Sequence, residues 1–315
     1  MQTRKEKQMI ELKNTVKKFD SYTALDGVDL TIEKGTAFGL LGSNGAGKST
    51  ILRLLSGIYK QEQGEVLIDG EPVYNNPAAK EKVFFINDET VQFGGFTLKQ
   101  LKEYYKGYYR TFSEETFENL RKAVNLPLDK KISTFSKGMK RQAIVIVGLA
   151  CKTDYLLLDE AFDGLDPTMR IIVKKMLVDA MIDRQLTTVI SSHNLKEINE
   201  VCDTAALIHD GRVVFSREID SVTSSVHKIQ AVFPKDENGS PMIYTREELA
   251  ESGLNILHYE RTQSIHYIIA KGDAEELRTF FEPKAPVLLE MIPLTLEEIF
   301  IYELEVLGYD SSDIK

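Results

Sequence analysis

Eight consecutive residues, Gly42-Ser43-Asn44-Gly45-Ala46-Gly47-Lys48-Ser49, follow the pattern G-x-x-x-x-G-K-[ST], and Thr50 comes next. Glycines let a backbone curl until its N–H groups face one centre. A helix opening behind them adds the positive end of its dipole, and both favour a phosphate. Lys48 has the reach for the β- and γ-phosphates of a nucleoside triphosphate such as ATP, and the Ser49 hydroxyl suits Mg²⁺. A glycine turn with an incidental lysine is the bland alternative. It leaves unexplained the apolar run at 37–41 before the loop and the helical period after it. A second pair, Asp159-Glu160, closes the apolar run at 155–158. A carboxylate at the tip of a core strand is costly to bury unpaired, and the Mg²⁺ of a nucleotide complex supplies a partner for Asp159. Glu160, one residue on, is directed at the attacking water, as base or orienter for in-line attack on the γ-phosphate.

Such groups need a rigid frame. Short β-branched runs at 28–32, 37–41, 66–68, 83–86, 155–158, 188–190 and 206–208 read as strands. Segments of helical period at 48–56, 98–110, 114–124, 139–150, 168–183 and 195–201 fall between most of them. Alternation of this kind predicts an α/β fold with a mainly parallel sheet, and the glycine loop between a strand and a helix makes it a P-loop NTPase core. Asp69-Gly70 and Asp210-Gly211 each separate two strand-like runs and read as hairpin turns, consistent with an antiparallel β subdomain. The stretch 89–150 is nearly all helical and reads as an insertion into the core. The run 221–225 (SVTSS) reads as a linker, dividing the chain into a domain at 1–225 and a smaller one at 226–315. In the smaller one the order is strand (229–233), helix (245–252), strand (256–259), strand (265–270), helix (273–281), strand (287–291) and helix (296–307). Its first six elements predict an α+β domain of the ferredoxin-like kind.

Composition sets outer bounds. Of 315 residues, 43% are hydrophobic and 28% charged, the balance of a globular protein. Net charge is -9 and the pI near 5.3, with Lys and Arg scattered among more numerous carboxylates, which disfavours a nucleic-acid partner. Arg4, Lys5 and Lys7 read as a solvated end. No apolar run approaches the roughly 18 residues of a membrane span, and the N-terminus lacks a secretory pattern. Cys151 and Cys202 lack metal-ligand spacing and read as reduced thiols. A cytosolic location is expected.

With the loop and the acid pair in place, the sequence resembles the nucleotide-binding subunits of ABC ATPases over about residues 9–225. Phe135-Ser136-Lys137-Gly138-Met139 stands where that family carries its signature, usually Leu-Ser-Gly-Gly-Gln. The resemblance implies that Ser136 and Gly138 bind the γ-phosphate of ATP held by an opposing subunit. Asp166, in Gly164-Leu165-Asp166-Pro167, falls in the segment that links the two sites across the dimer. His193, after Ser191-Ser192, corresponds to the switch histidine that senses the γ-phosphate. Phe19 stands where the family stacks a ring on adenine; Tyr22 is the alternative, and either suits plain core packing. One motif departs: the family's Gln before the helical insertion is missing, and Asp88 aligns best with it as a ligand to Mg²⁺, with an ordinary loop acid as the alternative.

The resemblance further implies a homodimer or paired ATPase subunit, an integral membrane permease as separate partner, and a peripheral position on the inner face of the cell membrane. The Ser-Lys-Gly-Met signature and the segment Thr295-Leu296-Glu297-Glu298-Ile299-Phe300 are similar to the bacterial multidrug and antibiotic exporter branch. The rival is a soluble ABC ATPase acting on ribosomes or DNA. Translation factors of that type usually carry two motif sets, and this chain has one. Tyr104, Tyr105, Tyr108 and Tyr109 fall on one side of a predicted helix, suited to packing within the insertion or to docking a helix of the membrane partner.

Overall fold

In the computed structural model, residues 9–87, 93–160, 162–163, 165–235, 237, 239–306 and 308 are described. Contacts divide the chain into two units, Met1–Ser216 and Arg217–Lys315.

The first unit carries two sheets. One is antiparallel, in the order β2-β1-β4-β5, from β1 (Met9–Phe19), β2 (Tyr22–Glu33), β4 (Gln63–Ile68) and β5 (Glu71–Pro72). The sequence reading missed β1. Its alternation is broken where Asn14 takes φ 45° and donates its N–H to Asp29 Oδ1 at 2.7 Å, and the register with β2 shifts there. The second sheet has the order β10-β9-β3-β8-β7-β6, from β3 (Ala37–Leu41), β6 (Val83–Ile86), β7 (Tyr155–Asp159), β8 (Thr187–Ser192), β9 (Thr204–His209) and β10 (Arg212–Glu218). The pairs β6/β7, β7/β8, β3/β8 and β3/β9 are parallel. Every residue of β3, β7 and β8 is buried, so these strands face apolar layers on both sides and read as continuous rather than alternating runs. Leu41 pairs with Ser192 and Asp159 with Ser191, so three strands end together. Both Asp-Gly turns sit at positive φ in both residues, the backbone that a tight two-residue hairpin needs.

The helices are α1 (Lys48–Leu55), α2 (Pro77–Glu81), α3 (Leu98–Tyr108), α4 (Glu114–Ala123), α5 (Lys137–Ala150), α6 (Pro167–Arg184) and α7 (Leu195–Asn199). The insertion comprises α3, α4 and α5. A capping box between Thr97 and Gln100 opens α3. The tyrosines of α3 and its cap differ in burial. Tyr105 and Tyr109 pack on Phe84, with Tyr109 Oη donating to the Val83 carbonyl at 2.9 Å. Tyr104 and Tyr108 stack on each other while remaining 38% and 64% exposed.

In the second unit, α8 (Ile219–Ser224) precedes β11 (Val226–Val232), α9 (Arg246–Glu251), β12 (Asn255–Thr262), β13 (Ile265–Lys271), α10 (Ala274–Phe281), β14 (Leu288–Ile292) and α11 (Leu296–Val306). The segment expected as a linker is therefore mostly helical. Ile219 and Val222, three apart, bury their side chains, and Thr223 Oγ1 turns back onto the Ile219 carbonyl. The sheet order is β12-β13-β11-β14 with antiparallel neighbours throughout, the ferredoxin-like arrangement. Ile229, Phe233, Leu249, Ile268, Leu277 and Phe281 form much of its core. Among the described residues, no helix of either unit is long and apolar enough to cross a membrane.

Candidate active site

The carboxyl ends of β3, β7 and β8 deliver the residues singled out above. After β3 the chain turns through Gly42, whose φ of 148° is a glycine conformation. A Cβ there would lie 2.2 Å from the Ile208 carbonyl oxygen. The loop closes at Gly47, φ 112°, the cap of α1. A Cβ on Gly47 would meet Leu25 Cδ2 at 2.7 Å and the Ala24 carbonyl oxygen at 3.0 Å. Gly211 touches the same strand: its own Cβ would lie 2.6 Å from the Ala24 oxygen, and its N–H donates to the Ala46 carbonyl at 3.0 Å. Ser43 is half-buried, Asn44 and Gly45 are exposed, and Ala46 is buried behind them.

Lys48 is only 4% exposed, and its ammonium donates to the carbonyls of Gly42 at 2.6 Å and Ser43 at 2.9 Å. Burial lowers its pKa, and the nearby carboxylates of Glu160 and Asp159 oppose that shift. Ser49 donates to Asp159 Oδ1 at 3.0 Å, and Ser191 donates to the same oxygen at 2.6 Å. Thr50 is half-buried in the first turn of α1. The Ser49 hydroxyl and the Asp159 carboxylate thus converge as hard oxygen donors, and they fit a small divalent cation such as Mg²⁺.

Glu160 follows at φ 48°, the left-handed region that a non-glycine residue seldom occupies. Its carboxylate lies 3.6 Å from His193 Nδ1. Donor atoms of Glu160, Asp163 and His193 all fall within 4.8 Å of one another. The turn bearing His193 is anchored from beneath. Ser192 donates to Glu197 Oε2 at 2.9 Å, and Arg170 pairs with Glu197 Oε1 at 3.2 Å.

Other predicted residues make local contacts of their own. Ser136 caps α5 by accepting the Met139 N–H at 3.2 Å, and Asp166 caps α6 by accepting the Met169 N–H at 3.0 Å. Gly138 faces α6: a Cβ there would lie 3.7 Å from Met169 Cγ and 3.8 Å from Leu165 Cδ2. Ser136 and Asp166 are exposed, and Gly138 is half-buried. Phe19 packs edge-on against Tyr59 at 5.2 Å, with the Lys17 ammonium 4.9 Å from its ring. Tyr22, across the same hairpin, donates to the Gly45 carbonyl at 3.3 Å. Asp88 lies outside the described residues. Sequence reasoning did not single out Ser191, Asp163 or Arg141. Ser191 was within reach, since it directly precedes Ser192-His193 on β8. The other two carry no local signal.

A family model described as ABC transporter matches residues 25–163. The ABC transporter ATP-binding protein YtrB of Bacillus subtilis is 30% identical over 93% of this chain and 97% of its own length. The methionine import ATP-binding protein MetN of Staphylococcus haemolyticus is 29% identical over 83% of this chain and 78% of its own. Among solved structures, a dimeric ATP-binding cassette in a post-hydrolysis state with ADP and Pi superposes with a TM-score of 0.60. It is 22% identical and covers 67% of this chain and 99% of the other. The chain belongs to the family of ABC transporter ATP-binding proteins, and it is an ATP-binding ATPase subunit of a transporter.

Proposed function

We propose that the chain powers an exporter. It would work as a homodimer or paired subunit on the inner, cytoplasmic face of the cell membrane and drive a separate integral membrane permease. The observation that carries the site assignment is the convergence of Lys48, Ser49, Asp159, Glu160 and His193 at the ends of three strands that stop in register. The backbone of Gly42, Ser43, Asn44, Gly45, Ala46 and Gly47 would cradle the phosphates, with Thr50 beside them and Phe19 against adenine. Lys48 would exchange its loop carbonyls for the β- and γ-phosphates. Mg²⁺, when bound by Ser49 and Asp159, neutralises charge on the phosphate oxygens. Glu160 would take or orient the proton of the attacking water, and His193 would hold that water in line. Ser136 and Gly138 would meet the nucleotide of an opposing subunit, with Asp166 joining the two sites. Asp88 would serve as a further ligand to Mg²⁺. The exposed pair Tyr104 and Tyr108 would receive a cytoplasmic helix of the permease.

A Glu160→Gln variant should bind ATP, fail to turn it over and accumulate as a dimer on size exclusion. If it stays monomeric with saturating ATP, the two-subunit scheme is wrong. Export is supported by the likeness of the Ser136-Lys137-Gly138-Met139 segment to the exporter branch, whereas MetN is named for import. Everted vesicles carrying the chain and its permease should accumulate the cargo when given ATP. ATP-driven release from such vesicles would indicate import.

A further inference from the structure

Glu160 holds a left-handed backbone, φ 48°, that an L side chain disfavours. Something around it must fix that conformation, and the two peptide groups flanking its Cα show what does. On one side its N–H is shared between the Ser191 carbonyl at 3.2 Å and the Ser191 hydroxyl at 3.1 Å. That hydroxyl in turn donates to Asp159 Oδ1, so one serine spans the backbone of one acid and the carboxylate of its neighbour. On the other side the Glu160 carbonyl accepts the Asp163 N–H at 3.1 Å and, at 3.4 Å, Nη2 of Arg141. Arg141 is only 3% exposed. A guanidinium buried to that degree would not be kept for solubility, and its delocalised charge suits a carbonyl.

The position of Arg141 gives the contact meaning. It lies on α5, whose first residues follow the cap Ser136 and include Gly138. We infer that Arg141 and Ser191 are positioning residues that clamp the backbone of Glu160 in its left-handed state. Through Arg141 the clamp ties the seating of α5 to the aim of the Glu160 carboxylate in the same chain. A ligand engaging Ser136 and Gly138 would steady α5, and the Arg141 contact would carry that to Glu160. The inference rests on the reading of Glu160 as the hydrolytic acid.

The test uses the full chain and the variants Arg141→Met, Arg141→Lys, Ser191→Ala and Glu160→Gln. ATP affinity, kcat at saturating MgATP and the Hill coefficient are measured for each. Arg141→Met should lower kcat about tenfold or more, the size of one charge-assisted hydrogen bond. Its ATP affinity should stay within about twofold of the parent, and its Hill coefficient should fall toward about 1. Arg141→Lys should restore part of the rate. Arg141→Met turning over at the parental rate, or losing ATP affinity in step with kcat, overturns the clamp. Should Arg141→Met fail to fold, Ser191→Ala is judged by the same split and decides the matter. Glu160→Gln separates the two ideas. If it hydrolyses ATP normally, the reading of Glu160 fails and the clamp with it. If it is inactive while Arg141→Met and Ser191→Ala remain at the parental rate, only the clamp fails.

Discussion

Two hydroxyl protons, from Ser49 and Ser191, rest on one oxygen of Asp159. They do different work. The Ser191 proton holds the carboxylate against β8, and on the proposed reading the Ser49 oxygen would turn toward Mg²⁺. Ser49→Ala should therefore cost hydrolysis roughly 10- to 100-fold, because one oxygen ligand and its orienting bond go together. The Mg²⁺ concentration for half-maximal rate should rise while nucleotide affinity without Mg²⁺ stays near parental. Unchanged Mg²⁺ dependence would remove Ser49 from the metal's surroundings. At this scale the sequence was legible where the chemistry is contiguous. Gly42 to Ser49 and Asp159-Glu160 announce themselves because each set is contiguous at the end of its own strand, β3 and β7. Arg141 and Asp163 stayed hidden because their meaning depends on contacts 19 residues apart and on a turn whose shape no local pattern encodes.

Among the elements, the parallel strands and the ferredoxin-like order could be read from runs and turns, since both depend on short apolar stretches bounded by breakers. The strand β1 could not, because its bulge at Asn14 cancels the period that marks a strand. The helix α8 was read as linker because its serines outweigh two buried residues. The strand β13 carries a consequence for stability. His266 is fully buried between Phe233 and Tyr259, with Nδ1 3.0 Å from the Tyr259 hydroxyl. That hydroxyl lies 2.7 Å from the Tyr244 carbonyl, to which it donates, so Nδ1–H is the donor to Tyr259 and Nε2 is left without a hydrogen-bond partner among the described residues. Burial pushes the pKa of His266 below its ordinary 6.5, and Arg261 adds to that shift. The unfolded chain then takes up a proton that the folded one resists. This stability is present in full above the unfolded value near 6.5, and it is lost as pH falls from there through the depressed folded value. Urea titrations of the full chain should show the second unit weakening below about pH 6.5. His266→Phe should flatten that slope, and an unaltered slope would locate the effect elsewhere.

For the whole molecule, the resemblance to ABC ATPases was carried by a set of short motifs in one order over most of the first unit. The second unit offered a recognisable topology but no chemistry, since topology is written in apolar pattern whereas a ligand site needs polar residues gathered from several elements. The way the first unit is tied together has a further consequence. The loop at 42–49 is packed where three distant stretches meet: Ala24-Leu25 of β2, Gly47, and the Asp210-Gly211 turn, with β3 itself set between β8 and β9. The loop is written early in the message but finished late. A chain emerging from the ribosome has displayed every glycine of the loop long before it owns the strands and the turn that hold them in shape. A chain that stops before residue 211 therefore lacks contacts that shape the loop, and such a truncation should bind ATP more weakly than the full chain.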